Sequence, residues 1–341
     1  MHRRVFIPTD IPPLQDVPDN ARMFTLSGAT MGTQWQVQLP AIAGASVAAL
    51  ETGILQRLER VIAQMSTWDE NSELCRFNRA APGSWHSLSA EFFTVLDYGV
   101  FLARQTGGAY NPAAGELVDL WGFGPAGARS RIPDAGLLHS ASASAQWRDL
   151  QLDRVQRKIL QTGGVRLDLS SIAKGFAVDL LAEFLLEHGV QHFLVEIGGE
   201  FRGHGVKPDR TPWWVAIETV PDLMQTNAGA NTGAAGDLVA LCGLAIATSG
   251  DYRQFFERDG RRYSHTLDTR TGYPVANSLA SVTVLHRQCM AADALATALT
   301  VLGPEHGLAY AQQHQIAAQF ICRSEQGLQE HLSAAMAALL D

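Results

Sequence analysis

Asp293 and Thr297 have the residue types and the spacing of a small cation site. They lie four residues apart in the segment ADALATALTVLG, whose apolar pattern predicts a helix. That spacing places a carboxylate and a hydroxyl on one helix face, and hard oxygen ligands of this kind suit Mg²⁺ or Ca²⁺. On spacing alone a structural role is favoured, in which Asp293 stabilises the helix dipole and Thr297 bonds the backbone of its own helix.

A second candidate is an anion site in the segment DLSSIAKGFAVD, which predicts the capped start of a helix ending at Gly189. Asp168, Ser170 and Ser171 supply oxygens for the first amide groups. Lys174 and the amide hydrogens of such a helix start suit a bound phosphate. The glycine pattern and the Lys-Ser/Thr pair of a P-loop are absent, so a solvated lysine is an equal alternative.

The segment YSHTLDTRTGYP combines an imidazole with a guanidinium. His265 titrates near neutral pH and suits an acid or a base, while Arg270 suits a phosphate. A histidine in a turn is more often only a hydrogen-bonding residue. Trp68 and Tyr110 are aromatic residues in polar loops, where a ring either stacks on a flat ligand or covers the core. For either ring alone, the core is the favoured interpretation.

Strands and helices must hold these residues in place. They alternate without a regular βαβ period, which predicts an α+β or irregular α/β fold. The predicted strands are 23–27, 34–39, paired short strands within 149–169, 193–197 and 281–285. The predicted helices are 46–65, a short one within 65–78, 90–106, one from the DLSSIAKG segment to Gly189, 292–303 and Leu328–Leu340.

Composition excludes several classes of protein. The 341 residues are 46% hydrophobic, which excludes wholesale disorder, and the net charge of −8 argues against a general nucleic-acid binder. The four cysteines have no C-x-x-C spacing, so we expect neither a zinc cluster nor a disulfide framework. No run of about 18 apolar residues is present, so we expect no membrane span.

The chain divides into two parts of different character. Prolines in residues 1–22 predict an extended arm, and residues 23–341 predict a single domain with a surface loop at 223–237 rich in Gly, Ala and Asn. The arm lacks the apolar stretch of a signal peptide and a cysteine that would carry a lipid. We therefore expect a cytoplasmic protein, or an exported one if the N-terminus is incomplete.

The order and the amino-acid sequences of eight segments resemble the ApbE family of flavin transferases, over about residues 24–305. The segments are SGATMGTQWQV, MSTWDENSELCRFN, GGAYNPAAGELVDLWGFGP, LDLSSIAKGFAVD, VEIGGEFRGHG, TSGDYRQFF, YSHTLDTRTGYPV and MAADALATALTVLG. The resemblance implies a T-fold-like α/β (α+β) domain with FAD in a cleft. It also implies a Mg²⁺-dependent reaction in which FAD is split at the pyrophosphate. FMN is joined to a Thr or Ser in the flavinylation motif of an acceptor protein, and AMP is released.

The resemblance also implies roles for individual residues. Asp293 and Thr297 match side-chain metal ligands, and Ala173 matches a position that gives its backbone carbonyl. His265 matches a histidine linked to transfer. FAD contacts are implied at Met31, Trp68, Ala109, Tyr110, Asn111, Ser170 and Leu267. We add Lys174 and Arg270 as cations that neutralise phosphate.

Three positions depart from the family pattern. Trp68 stands where a tyrosine is common, Asn111 where an aspartate is common, and Thr269 where a proline is common. We expect the indole to stack on the flavin as a phenol would, whereas Asn111 replaces an acidic acceptor by a neutral amide. Two other functions stay open: an FAD pyrophosphatase that gives free FMN and AMP, and a non-catalytic FAD-binding protein.

Overall fold

The structure is a computed structural model that describes residues 4–11, 16–17, 19, 21–41, 46–127, 132–220, 236–252, 254–258 and 261–340. Most of the loop predicted at 223–237 lies outside the described residues. No helix in the described part is long and apolar enough to cross a membrane.

Helices and strands alternate irregularly along the chain, as the sequence predicts. The helices are α1 Val47–Met65, α2 Glu73–Asn78, α3 Ala90–Gln105, α4 Gly115–Leu120, α5 Ala135–Ser144, α6 Ala173–Glu187, α7 Cys289–Gln313 and α8 Ala334–Ala337. The strands are β1 Val5–Phe6, β2 Met23–Thr30, β3 Thr33–Pro40, β4 Ser84–Ser87, β5 Gln151–Asp153, β6 Lys158–Gln161, β7 Phe193–Ile197, β8 Glu200–His204, β9 Trp213–Ala216, β10 Leu238–Leu241, β11 Leu244–Gly250, β12 Phe255–Arg258, β13 Arg261–Ser264, β14 Leu267–Asp268, β15 Tyr273–Pro274, β16 Leu279–His286, β17 Ala317–Ser324 and β18 Gly327–Leu332.

An antiparallel sheet in the order β18-β17-β16-β11-β8-β7-β3-β2 forms the centre of the fold. Helices α1, α6 and α7 pack on one face, and the small sheet β1-β10-β9 covers the other. Strand β7 shows why the sheet is buried on both sides, because Phe193 and Val195 enter the larger core while Leu194 enters the smaller one. The mixed α and β fold expected from the sequence is confirmed.

The N-terminal arm is tied to the smaller core. Val5 and Phe6 pair in parallel with β10, and the Phe6 ring is fully buried. The Arg4 guanidinium forms ion pairs with both Asp237 and Glu330. Part of the arm therefore belongs to the packed structure, although the boundary at residue 23 stays a prediction.

Two local predictions are wrong, the helix at Leu328–Leu340 and the last of the short strands within 149–169, because hydrogen-bond partners in the folded chain outweigh the local pattern. The helix predicted at Leu328–Leu340 is the edge strand β18 followed by the short α8, because β17 supplies backbone partners for residues 327–332. Residues 165–169 form no strand. Their side chains alternate in burial, as in a strand. Their backbone groups, however, do not pair with a strand: Leu167 exchanges two backbone hydrogen bonds with the Asn78 side chain, and the Asp168 amide donates to the Pro112 carbonyl.

Candidate functional site

The first turn of α6 contacts α7 closely enough to bring two predicted ligand segments together. The Gly175 amide donates to Asp293 Oδ2 at 3.0 Å, and the Asp293 side chain is buried. A Cβ on residue 175 would lie 2.4 Å from the Cys289 carbonyl oxygen, so this crossing admits only glycine without a shift. The two helices therefore meet at the Asp293 carboxylate.

The predicted capping of α6 by its own residues is wrong. Ile172 is the N-cap and gives no side-chain cap, and Asp168 Oδ1 accepts from Ser170 before the helix begins. Asp293, 118 residues after Gly175, caps α6 instead by accepting from the Gly175 amide. A carboxylate at a helix N-terminus is stabilised by the amide groups and the helix dipole.

The donors near this crossing suit a Mg²⁺ ion. Ala173 opens α6 two residues before Gly175, and the half-buried Thr297 lies one turn after Asp293. A carboxylate, a hydroxyl and a backbone carbonyl are all hard oxygen ligands. Within the described residues, no group of three or more His, Cys, Asp and Glu side chains is placed to bind a metal. Three oxygen donors would leave positions in an octahedral Mg²⁺ shell for water and substrate phosphate.

The loop at residues 109–111 packs beside the segment before α6. Tyr110 is 1% exposed, and its hydroxyl accepts from Ser171 Oγ at 3.3 Å. Burial raises the pKa of Tyr110, and the Asp293 and Asp168 carboxylates raise it further. The phenol is therefore neutral at physiological pH, and the GGAYNP segment adjoins the helix crossing.

Asn111 uses its side chain for structural hydrogen bonds. Its Nδ2 donates to the Ala145 carbonyl and to Thr269 Oγ1, each at 2.8 Å, and its Oδ1 accepts from Ala113 at 2.9 Å. Two of the three departures from the family pattern, Asn111 and Thr269, are thus hydrogen-bond partners. Both amide hydrogens are already engaged, so a flavin contact at this position would rely on other atoms of the residue.

His265 follows a hairpin that is stacked on an aromatic cluster. Its Nδ1 lies 3.0 Å from the Gln254 carbonyl oxygen, which can only accept, so Nδ1 carries the proton. The neutral ring then has its basic lone pair on Nε2. Phe256 and Tyr263 of this hairpin stack in a cluster with Trp121, Phe123 and Tyr273, and the Phe123 ring lies 6.3 Å from that of His265.

The two predicted phosphate cations are each paired with a carboxylate of the chain. Lys174 Nζ lies 2.6 Å from the buried Glu200, and the Arg270 guanidinium lies 2.8 Å from Asp268. These pairs reduce the net charge that either cation would offer to a phosphate. Both residues stay predictions as FAD contacts.

Met31 and Trp68 lie at the ends of other elements. Met31 occupies a two-residue turn between β2 and β3 with φ of +48°, an uncommon value outside glycine that is often found at functional sites. Trp68 follows α1, and its side chain is 68% exposed. Hydrogen bonds among the described residues do not join either one to the helix crossing. The Trp68 ring does not cover the core, the role that residue type alone favours, and its exposed face is open to stacking on a flat ligand.

A cavity of about 600 Å³ lies beside α7 at Val301 and Gly303, with Asp268 and Asn277 also in its lining. Val301 lies two turns after Asp293, about 12 Å along the helix axis. Asp293, Thr297 and His265 do not line this cavity, so it is not the proposed metal site.

Comparison with known proteins decides which family this arrangement represents. The model of the ApbE family matches residues 31–320. The chain belongs to the ApbE family. A protein of Vibrio cholerae named FAD:protein FMN transferase is 39% identical over 318 residues, covering 92% of this chain and 91% of its own length. A Haemophilus influenzae protein of the same name is 36% identical over 328 residues, covering 94% and 92%.

Solved ApbE structures have the same fold. The apo form of the Pseudomonas stutzeri flavinyl transferase ApbE superposes with a TM-score of 0.85 at 37% identity, covering 94% of this chain and 97% of that one. The Vibrio cholerae flavin transferase ApbE gives a TM-score of 0.85 at 38% identity, covering 93% and 99%. The resemblance seen in the sequence is confirmed.

The ApbE fold also buries charged residues that sequence analysis missed. Asp179, Glu200 and Arg202 lie behind the helix crossing, where Asp179 and Glu200 are 6% and 2% exposed. Asp179 occurs in the segment DLSSIAKGFAVD, two turns after the residues singled out there. A carboxylate on the apolar side of a predicted helix is the signal that could have identified it.

Proposed function

We propose that this chain, a flavin transferase by family, transfers FMN from FAD to a Thr or Ser hydroxyl of an acceptor protein and releases AMP, with Mg²⁺ required. The observation that carries this proposal is the buried Asp293 carboxylate at the first turn of α6, with Ala173 and Thr297 one turn or less away. The names of the curated relatives support the flavin donor and the protein acceptor.

Asp293 and Thr297, with the Ala173 carbonyl, would hold the metal ion. When bound, Mg²⁺ neutralises charge on the pyrophosphate oxygens and orients them. Phosphoryl transfer depends mainly on positioning and charge neutralisation, and the buried helix crossing supplies a fixed frame for both. The arrangement accounts for a protein with a net charge of −8 that would bind a dinucleotide without a basic face.

His265 would act on the acceptor side of the reaction. The acceptor hydroxyl oxygen bonds to the FMN phosphorus, the bond from that phosphorus to the bridging oxygen breaks, and AMP leaves with that oxygen. The hydroxyl proton passes to His265 Nε2, which holds the basic lone pair because Nδ1 donates to Gln254. The Gln254 carbonyl thus fixes both the tautomer and the orientation of the ring.

The flavin itself would bind between the exposed Trp68 ring and the 109–111 loop. Trp68 offers a large open aromatic face, and Tyr110 closes the core beneath the loop. Met31, Ser170 and Leu267 complete the proposed contacts. This assignment rests on the family pattern and on the exposure of Trp68.

The test is to incubate the protein with Mg²⁺, FAD and candidate acceptor proteins and to measure intact acceptor mass, in-gel flavin fluorescence and released AMP. We expect an acceptor that gains one FMN residue, with one AMP formed for each. Asp293→Asn should remove most of this turnover, whereas Asp149→Asn, an exposed carboxylate in the 3₁₀ turn 147–149, should not change it. Free FMN and AMP without labelled acceptor would identify a pyrophosphatase instead.

A further inference from the structure

Asp179 is a buried carboxylate that accepts three hydrogen bonds. Its Oδ1 accepts from the Cys289 amide at 2.9 Å and from Arg202 Nη1 at 2.7 Å, and its Oδ2 accepts from the Met290 amide at 2.9 Å. Cys289 and Met290 are the first two residues of α7, whose N-cap Gln288 contributes no side-chain hydrogen bond. Asp179 of α6 therefore caps α7 with both carboxylate oxygens.

The capping between the two helices is reciprocal. Asp179 of α6 holds the first turn of α7, and Asp293 of α7 holds the first turn of α6 through Gly175. Asp293 follows Cys289 by four residues, about one helical turn. Any rotation of the α7 start therefore moves the Asp293 carboxylate and the next ligand on that face, Thr297.

Two ion pairs fasten α6 to β8 behind this crossing. Arg202, whose side chain is 18% exposed, pairs with Asp179, and Lys174 pairs with Glu200 at 2.6 Å. Breaking a largely buried pair leaves an uncompensated charge, which resists local rearrangement. Strand β8 lies inside the central sheet, so the position of Asp179 is set by the most constrained part of the fold.

We propose that Asp179 is a positioning residue for the metal and pyrophosphate site, acting through the first turn of α7. The proposal rests on the function given above, because it concerns the same ligands, Asp293 and Thr297. A residue that only stabilised the fold would lower the melting temperature and leave the metal affinity of the folded protein unchanged. A positioning residue changes the metal affinity itself.

The experiment measures Mn²⁺ binding to the purified protein with FAD, by the electron paramagnetic resonance signal of free Mn²⁺ and without any acceptor. In Asp179→Asn an amide NH₂ replaces one acceptor oxygen and Arg202 loses its counter-charge. We expect Mn²⁺ affinity to fall by about tenfold or more, the effect usual for partners behind metal ligands. In turnover, the concentration of Mg²⁺ needed for half-maximal rate should rise by a similar factor, with much of the rate recovered at saturation.

Glu183→Gln is the matched control. Glu183 also lies on α6, 3.9 Å from Arg202, but its side chain is 60% exposed. It should bind Mn²⁺ like the wild type. Arg202→Gln provides a second variant in case Asp179→Asn does not fold, since it keeps the Asp179 carboxylate that accepts from the α7 amides and removes its partner on β8. We expect its Mn²⁺ affinity to fall about threefold, an estimate below the usual effect of losing a direct partner.

The outcomes separate this proposal from the proposed function. Wild-type Mn²⁺ affinity in folded Asp179→Asn, or in Arg202→Gln if the first variant is unfolded, would overturn the positioning role even if flavin transfer is intact. If Asp179→Asn binds Mn²⁺ more weakly and the wild type labels no acceptor, the positioning role is supported and the proposed transferase function is contradicted. A wild type that binds no Mn²⁺ with FAD would refute the metal site and this proposal with it.

Discussion

The α6–α7 crossing and the His265 hairpin are built on opposite physical principles. At the crossing, buried charges hold two helix starts together, with Asp179 and Asp293 each capping the other helix. In the β12–β13 hairpin, stacked rings stabilise the strands, with the Phe256 and Tyr263 rings 5.0 Å apart and nearly parallel. Hydrogen-bonded charges fix atoms in specific directions, whereas stacked rings fix a surface and tolerate small sliding.

The difference matches the tasks that the two regions would perform. Metal ligands require positions fixed to a few tenths of an ångström, and the crossing would hold the proposed ligands in the interior. His265, which we propose acts on an incoming protein segment, is half-buried. Variants in the crossing should therefore affect metal binding first, and variants in the hairpin should affect acceptor turnover first.

Gly175→Ala should produce the largest effect. The new Cβ would lie 2.4 Å from the Cys289 carbonyl oxygen and 2.8 Å from Asp293 Cβ, so the helices must separate. Overpacking of this kind costs about 1–3 kcal/mol in the free energy of unfolding, measured by urea denaturation, and should abolish tight Mn²⁺ binding. Gly99→Ala on α3 is the control, because its Cβ meets nothing closer than 3.4 Å. Equal stability and equal Mn²⁺ affinity in Gly175→Ala and Gly99→Ala would show that close packing of α6 on α7 does not position the metal ligands.

Trp68→Ala should weaken FAD binding without destabilising the protein. The ring is 68% exposed, so little buried surface is lost, whereas a stacking contact is worth about 0.5–1.5 kcal/mol, up to roughly tenfold in the dissociation constant. Fluorescence titration with FAD measures the change. Trp68→Phe should retain most of the affinity, and Trp85→Ala, at the 50% exposed tryptophan of β4, should retain all of it. Unchanged FAD affinity in Trp68→Ala would exclude the stacking role.

Phe256→Leu should separate the two regions most cleanly. It keeps an apolar side chain but loses the stacking on Tyr263 and Trp121, which costs about 1 kcal/mol locally. We expect acceptor turnover to fall about threefold while Mn²⁺ affinity stays at the wild-type value. A parallel loss of metal affinity would show that the hairpin and the crossing are one coupled unit.

Asp168→Asn should have the smallest effect, visible only as a change with pH. Burial raises the pKa of Asp168 above its ordinary value, and the hydrogen bond from Ser170 opposes this only in part. The folded state therefore binds this proton more tightly than the unfolded state. Its stabilising contribution is present below the unfolded pKa and is lost as pH rises through the folded pKa.

The wild type should lose stability relative to Asp168→Asn between about pH 4 and neutrality, measured by urea denaturation at both values. Asp209→Asn should show the opposite sign, because hydrogen bonds from Thr211 lower the pKa of Asp209. A pH-independent difference between Asp168→Asn and the wild type would contradict the burial of this carboxylate.

Local signals predicted much of the fold, and the failures have two causes. Helix α1 could be predicted from apolar spacing, and Ser46 caps it as a local signal should. The cap of α6 comes from Asp293, 118 residues after Gly175, so no local window of the sequence contains it. Residues 327–332 pair instead with the neighbouring strand β17, and this hairpin pairing outweighs the apolar spacing that favoured a helix.

The candidate site divides in the same way. Asp293, Thr297 and His265 could be selected from residue type, spacing and family pattern. Asp179 could be noticed as a carboxylate on the apolar side of a predicted helix, but its role could not be predicted. That role depends on the two amides of α7 and on Arg202 of β8, which only the folded chain brings to it. Asn111 shows the converse, since its family position suggests a flavin contact while its amide hydrogens bond Ala145 and Thr269.

The proposed transfer of FMN from FAD to a protein hydroxyl at the helix crossing can be measured directly. The measurement is the intact mass of a purified acceptor after incubation with the protein, FAD and Mg²⁺, compared between wild type and Asp293→Asn. We expect an acceptor heavier by one FMN residue with the wild type and an unmodified acceptor with the variant. Equal labelling by both proteins would contradict the role of Asp293, and labelling by neither, with free FMN in solution, would contradict the transfer itself.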